Sequence, residues 1–168
     1  MPTMNQAQNG QISAKFAPTS QLHNVSDSDL HAEYCKRFTL QAGDTISSSE
    51  QAILHLRLFL QDDLHREKFL CIFLNGRNQV IDTECLFEGT LTTSAVYPRE
   101  LIKRILHHGA AAILIAHNHP SGNPEPSRDD ISITKKLKDA CSTIDCTIHD
   151  HLIICNENFT SFADKGLL

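Results

Sequence analysis

From about residue 46 onward the apolar positions fall at regular intervals; before it they do not. Ala52, Ile53, Leu56, Phe59 and Leu60 recur at helical spacing, and Ser47 with Glu50 has the spacing of a capping box, so a helix reaching residue 60 is predicted. Residues 69–74 (FLCIFL) form a short unbroken apolar run rich in strand formers, bounded by the turn signal Asn75-Gly76. That pattern predicts a strand buried on both faces, with residues 79–87 returning antiparallel to it. Residues 89–95 read as a Thr- and Ser-containing loop. Pro98 is placed as the first residue of a helix reaching His108, with Leu101, Ile102 and Ile105 inward and Gly109 as its stop. Residues 110–116 give a third strand and residues 128–141 a second long helix. Residues 147–155 give a fourth strand and residues 159–162 a short last one. The order α-β-β-α-β-α-β-β predicts an α/β fold, a three-layer α-β-α sandwich around a mixed sheet.

Two regions are expected: a polar, loosely ordered arm over residues 1–45 and a single domain over 46–168. The arm is rich in Gln, Asn, Ser and Thr and lacks periodicity. Within it, residues 27–38 could form a short helix with Ser26 as cap and Leu30, Tyr34 and Phe38 on one face. No internal repeat is present.

Composition narrows the function classes. A net charge of −5 argues against a general nucleic-acid binder. No apolar run approaches the roughly 18 residues needed to span a bilayer, and the N-terminus has no basic region followed by an apolar core. None of the six cysteines forms a CxxC, and Cys71 and Cys155 sit inside apolar runs. A reducing, cytoplasmic setting with free thiols is therefore expected.

The chemistry is concentrated in residues 117–130, HNHPSGNPEPSRDD. Two histidines one residue apart on an extended backbone point to the same side, about 6.5–7 Å apart along the strand. Their imidazoles can close on one metal ion at about 2.0–2.1 Å per bond. Pro120 disfavours helix at His119, which keeps the pair extended. The turn-rich stretch 121–126 brings the chain round to Ser127, a helix start, with Asp130 in the first turn as a third ligand. Two histidines and a carboxylate leave the fourth position of a single zinc ion open for water, the pattern of a catalytic site. The competing reading of Ser127 and Asp130 is a capping box, and the two are compatible.

The combination His-x-His-Pro, six residues, then Ser-x-x-Asp resembles the JAMM motif of the JAB/MPN metalloprotease superfamily, matched at His117, His119, Pro120, Ser127 and Asp130. The longer wording of residues 117–130, the DHLI at 150–153 and the ending at 161–168 look like its bacterial RadC-type branch. The likeness covers about residues 46–168. The helix-hairpin-helix region that many RadC-type proteins carry has no counterpart in the first 45 residues, so the chain is similar to the short, MPN-only members. The resemblance implies the MPN, cytidine-deaminase-like sandwich and a catalytic glutamate upstream of the histidines. Glu67, just before the first core strand, fits that role, with Glu84 and Glu88 as fallbacks. Glu67 would act as general base and proton shuttle. Ser127 would hydrogen-bond the oxyanion.

The expected activity is zinc-dependent hydrolysis of a peptide or of an isopeptide-linked protein conjugate. Two other readings stand beside it. One is an accessory role in DNA repair or recombination, the role attached to the RadC name; the acidic charge and few aromatics give such nucleic-acid binding little support. The other is a zinc-containing module that binds peptides without cleaving them. Outside the motif, His149, Asp150 and His151 form a second cluster on a strand, and alternation keeps all three from lining one site. The resemblance implies that Asp150 and His151 lie near the site or support it, and a hydrogen-bonding role that orients a ligand imidazole stands there beside plain satisfaction within the core. His107 and His108 end a helix and are read as solvated or as lying near the negative end of its dipole. Lys135, Lys136 and Lys138, with Arg128, read as a solvated basic face.

Overall fold

The computed structural model of the protein describes residues 25–60, 65–89, 96–155 and 158–168. Most of the expected arm (1–24), the start of the charged run (61–64), the loop 90–95 and turn residues 156–157 lie outside the described residues. The elements are α1 (Asp27–Phe38), α2 (Ser49–Leu56) with a 3-10 turn (Arg57–Leu60), β1 (Glu67–Leu74), β2 (Val80–Gly89), α3 (Pro98–His108), β3 (Ala112–Asn118), α4 (Arg128–Ser142), β4 (Thr147–Ile154) and β5 (Phe159–Ser161).

The strands form one mixed sheet in the order β2-β1-β3-β4-β5. β1 runs antiparallel to both β2 and β3, β3 and β4 are parallel across α4, and β5 closes the far edge antiparallel to β4. The unbroken apolar runs are explained by burial on both faces. Leu70, Ile72 and Leu74 of β1, with Leu114 and Ala116 of β3, pack against Ala52, Ile53 and Leu56 of α2. Phe69, Cys71 and Phe73, with Ile113 and Ile115, pack against Leu101 and Ile105 of α3 and Ile133 and Leu137 of α4. This is the expected α/β architecture with helices on both faces of a mixed sheet.

Two local expectations change. The cap of α2 is Ser48, whose hydroxyl accepts from Gln51 N–H, rather than Ser47. The helix tightens into a 3-10 turn at Arg57, so its apolar series to Leu60 is not one continuous α-helix. Along α4, Ile131 is exposed, whereas Ile133, Thr134 and Leu137 are buried. Helix α1 forms with Ser26 as its cap, and it meets the domain through Tyr34, whose hydroxyl donates to the Leu54 carbonyl at 3.0 Å. The following segment hydrogen-bonds to the β1–β2 turn through Gly43, Asp44 and Ile46. No helix among the described residues is long and apolar enough to cross a membrane.

Candidate metal centre

The alternation that splits the core also aims the histidines. Ile113 and Ile115 face α4, so His117, next in that series, faces α4 too and is almost fully buried. His119 follows just beyond the strand end. The Pro120-Ser121 turn closes with Gly122 N–H on the His119 carbonyl at 3.0 Å, and Gly122 takes the left-handed φ of 76° that favours glycine at this reversal. The chain then returns to Ser127, the N-cap of α4. Asp130 completes a reciprocal capping box: its carboxylate accepts from Ser127 N–H at 2.7 Å and its own N–H donates to Ser127 Oγ at 3.1 Å.

His117, His119 and Asp130 converge here. The two Nε2 atoms lie 2.9 Å apart. Asp130 Oδ1 is 3.2 Å from His117 Nε2 and Oδ2 is 3.5 Å from His119 Nε2. Ligands of a tetrahedral zinc ion with bonds near 2.0–2.1 Å stand about 3.3 Å apart, so the donor set fits such an ion in chemistry and spacing. Two imidazole nitrogens at 2.9 Å cannot face each other with bare lone pairs; a proton or a cation must stand between them. Burial alone would raise the Asp130 carboxyl, but the close approach of His117 and His119 and the bond from Ser127 outweigh it and hold Asp130 far below the carboxylate range. Conversely, the hydrogen bond to Asp130 raises His119. The site is therefore poised to hold positive charge.

Glu67 opens β1. Its strand pairs with β3 so that Phe69 lies opposite His117, which brings Glu67 level with His119. Glu67, His119, Ser127 and Asp130 line one cavity of about 300 Å³, with Ser121, Asn123, Glu125 and Asp129. A second cavity of about 410 Å³, lined by His65, Arg66, Gly89 and Pro120, shares Glu67 and Ser121 with the first. The fallback glutamates do not reach this place. Glu84 is held by Arg104 and by His108, the latter at 2.8 Å, and the Arg104 bond keeps its carboxyl low. His108 is thus no solvated helix end: it is half-buried, stacked on Phe73 and bonded to Glu84. Glu88 is exposed and pairs with Arg66 at 3.5 Å. Lys135, Lys136, Lys138 and Arg128 are solvent-exposed.

The structure separates the 149–151 triplet. His149 is exposed and meets Asn78 Oδ1 at 2.8 Å. Asp150 turns to the α2 side and ties the C-terminal segment, accepting from Ser161 Oγ at 2.6 Å and Ala163 N–H at 2.9 Å. His151 reaches the site: its Nε2 lies 2.9 Å from His117 Nδ1 and its Nδ1 lies 2.6 Å from Thr134 Oγ1. Burial, reinforced by the neighbouring His117, drives its pKa well below the histidine range, so it is neutral. Simple alternation puts His151 on the face opposite Ile148. A register shift in the β3–β4 ladder, where Ile113 pairs with Ile148 but Leu114 pairs with Asp150, absorbs one residue and returns His151 to the α4 face.

Asn118, the residue between the two histidines, carries no signal in the sequence reading. Its side chain accepts from Lys68 N–H at 2.7 Å and donates to the Arg66 carbonyl at 2.9 Å. It thereby clamps both sides of Glu67 to the end of β3. Replacing Asn118 with alanine strands a buried N–H, and a loss of about 1–3 kcal/mol is expected, measured by urea unfolding. Asn118→Asp keeps the acceptor and loses the donor, so it should fall between alanine and the native residue.

A family model described as "RadC-like JAB domain" matches residues 46–167. A UPF0758 protein from Thiobacillus denitrificans is 50% identical over 129 residues, which is 77% of this chain and 57% of that protein. UPF0758 proteins from Vibrio parahaemolyticus and Vibrio vulnificus are 49% and 46% identical over 128 residues, with 76% of this chain and 57% of theirs covered. The chain thus spans a little over half the length of these curated relatives.

Proposed function

The chain belongs to the RadC-like JAB domain family, and on that premise we propose that it is a zinc-dependent hydrolase of peptide or isopeptide bonds. The observation that carries the proposal is the convergence of His117 Nε2, His119 Nε2 and an Asp130 carboxylate oxygen, all within 4.8 Å of one another, beside a cavity that Glu67 and Ser127 also line. One zinc ion held by these three would supply Lewis acidity, polarising a scissile carbonyl and making a water acidic near neutral pH. Glu67 then takes a proton from the attacking water and returns it to the departing amine. Ser127 has two compatible tasks. Its oxygen lone pair accepts from Asp130 N–H, which leaves the hydroxyl hydrogen to be donated to the oxyanion as charge develops.

The test begins with the metal. Purified protein is expected to carry one zinc ion per chain, and peptide or isopeptide hydrolysis should disappear on chelation and return on adding zinc. Absence of stoichiometric zinc defeats the proposal. The direction of the pH dependence follows from His119. In the metal-free protein Asp130 holds its pKa above the ordinary 6.5, whereas a metal ligand must be neutral. Below that raised value zinc must displace a proton, so its apparent affinity should fall about tenfold per pH unit as pH drops. Calorimetry in buffers of differing ionisation enthalpy should register about one proton released per ion in that range; no release would show that His119 is not a ligand.

A further inference from the structure

We propose that Thr134 and His151 form a relay that locks the tautomer of His117, keeping its Nε2 lone pair directed at the metal position before any ion arrives. The inference rests on the metal-site reading above, but its central observable does not require metal.

The direction of every hydrogen in the relay follows from one carbonyl. Thr134 Oγ1 lies 2.6 Å from the backbone oxygen of Asp130, one helical turn earlier in α4. A carbonyl only accepts, so the threonine hydroxyl donates its single hydrogen there. Its contact with His151 Nδ1 at 2.6 Å must then be one in which the oxygen accepts and Nδ1–H donates. His151 is fully buried and its ring nitrogens meet only Thr134 and His117, with no carboxylate on either, so the ring is neutral. A neutral imidazole carries one hydrogen, and His151 Nε2 is a bare acceptor. It can face His117 Nδ1 at 2.9 Å only by receiving that atom's hydrogen. His117 is left with Nε2 unprotonated, 3.2 Å from Asp130. Asp130 therefore supplies both ends of the arrangement: its side chain meets the metal position and its backbone oxygen sets the relay. His119 is set separately: its Nδ1 faces the Asn123 carbonyl at 2.8 Å and must donate, and in the metal-free protein the hydrogen that has to stand between the two Nε2 atoms at 2.9 Å is carried by His119.

The relay is enclosed. Thr134 and His151 are buried, and His151 is stacked on Phe162 and edge-on to Phe69. No water needs to complete it, and neither residue touches the metal position. Both are positioning residues acting through His117. The opposite tautomer would put a hydrogen on Nε2 and set two N lone pairs against each other at 2.9 Å, which burial makes costly. Threonine suits its place better than serine or valine, since the methyl fills the buried helix face while the hydroxyl spans the carbonyl and the ring.

The test compares His151→Phe, His151→Gln and Thr134→Val. Glutamine can accept from His117 and donate to Thr134, so it preserves the relay; phenylalanine keeps the ring volume and removes the acceptor. Zinc affinity is expected to fall 10–100-fold in His151→Phe, to stay near the native value in His151→Gln and to drop less in Thr134→Val. In metal-free protein labelled with 15N-histidine, long-range proton–nitrogen spectra should show His117 protonated at Nδ1 in the native chain and in His151→Gln. A mixture with the Nε2–H form is expected in His151→Phe. Equal affinity losses in the phenylalanine and glutamine variants that track a shared fall in thermal stability would reduce His151 to packing and overturn the relay. So would a native-like His117 tautomer in His151→Phe. If His151→Phe does not fold, the glutamine and Thr134→Val spectra decide alone. A native chain that takes up no zinc yet shows the Nδ1–H tautomer defeats the hydrolase reading and leaves the relay standing.

Discussion

Asp130→Ala should empty the metal centre. The carboxylate is the one charged member of the donor set, and both imidazoles close on it at 3.2 and 3.5 Å. Without it two neutral nitrogens remain, and the drop in zinc affinity should exceed the 10–100-fold that loss of an outer hydrogen-bond partner costs. Alanine also breaks the α4 capping box, so lost metal could be confused with a frayed helix. Asp130→Asn separates the two: its amide oxygen still accepts from Ser127 N–H and retains the cap while removing the charge. Both variants are expected to lose stoichiometric zinc by elemental analysis, and only alanine should lower the stability of the metal-free helix start, by about 0.5–2 kcal/mol. His117→Ala should lose zinc equally. Metal content equal to that of the native chain in these variants would remove the assignment of the site.

The pairing of cap and ligand at Asp130 explains why the site could be read from the sequence at all. Its parts are local: an extended His-x-His held by Pro120, a turn, and a helix start, each with a short-range signature. Sequence spacing carries that information because the backbone between residues 117 and 130 makes only one excursion. The supporting residues were less legible for the opposite reason. Asn118 acts on Arg66 and Lys68, about fifty positions away, and nothing in the local pattern marks it. His151 stands out in the sequence as one of a triplet, but its face depends on a ladder irregularity between β3 and β4. Thr134 reads as an ordinary residue on a helix until the strand bearing His151 is laid against it.

The fold shows the same division. Continuous apolar runs at 69–74 and 110–116 announce strands buried on both sides, and they are the two central partners β1 and β3. Where a choice depended on one residue at an end, tertiary contacts decided it. The cap moved from Ser47 to Ser48, and His108 joined Phe73 and Glu84 instead of solvent. Glu84 is a fallback catalytic residue by type and by strand, yet its partners are Arg104 and His108 on α3, not the metal-site residues. Carboxylates of one type are thus sorted by which helix faces them, information that the composition of β2 does not hold.

Glu67→Gln is the substitution that should divide a hydrolase from a module that merely binds. Glutamine has the same length and shape, so the clamp of Asn118 on its two neighbours is undisturbed, and Glu67 is not among the three clustered metal-ligating groups. Zinc content should therefore stay at one per chain. What is lost is a group able to take up and release a proton, and general acid–base catalysis of this kind is worth about 10²–10⁴-fold, or roughly 3–5 kcal/mol of barrier at 1.36 kcal/mol per decade. The fall should lie in kcat, with KM little changed, because the variant still presents a polar side chain to the same cavity. A peptide-binding module predicts unchanged ligand affinity and no turnover in either chain. If the native chain hydrolyses its substrate and Glu67→Gln does so at the same rate, proton transfer belongs to another group, and the other carboxylates lining the cavity, Glu125 and Asp129, become the ones to replace. Glu67→Asp sharpens the outcome. It keeps the acid but withdraws it by one methylene, so a loss nearly as deep as that of glutamine would show that position at the end of β1, as much as charge, sets the rate.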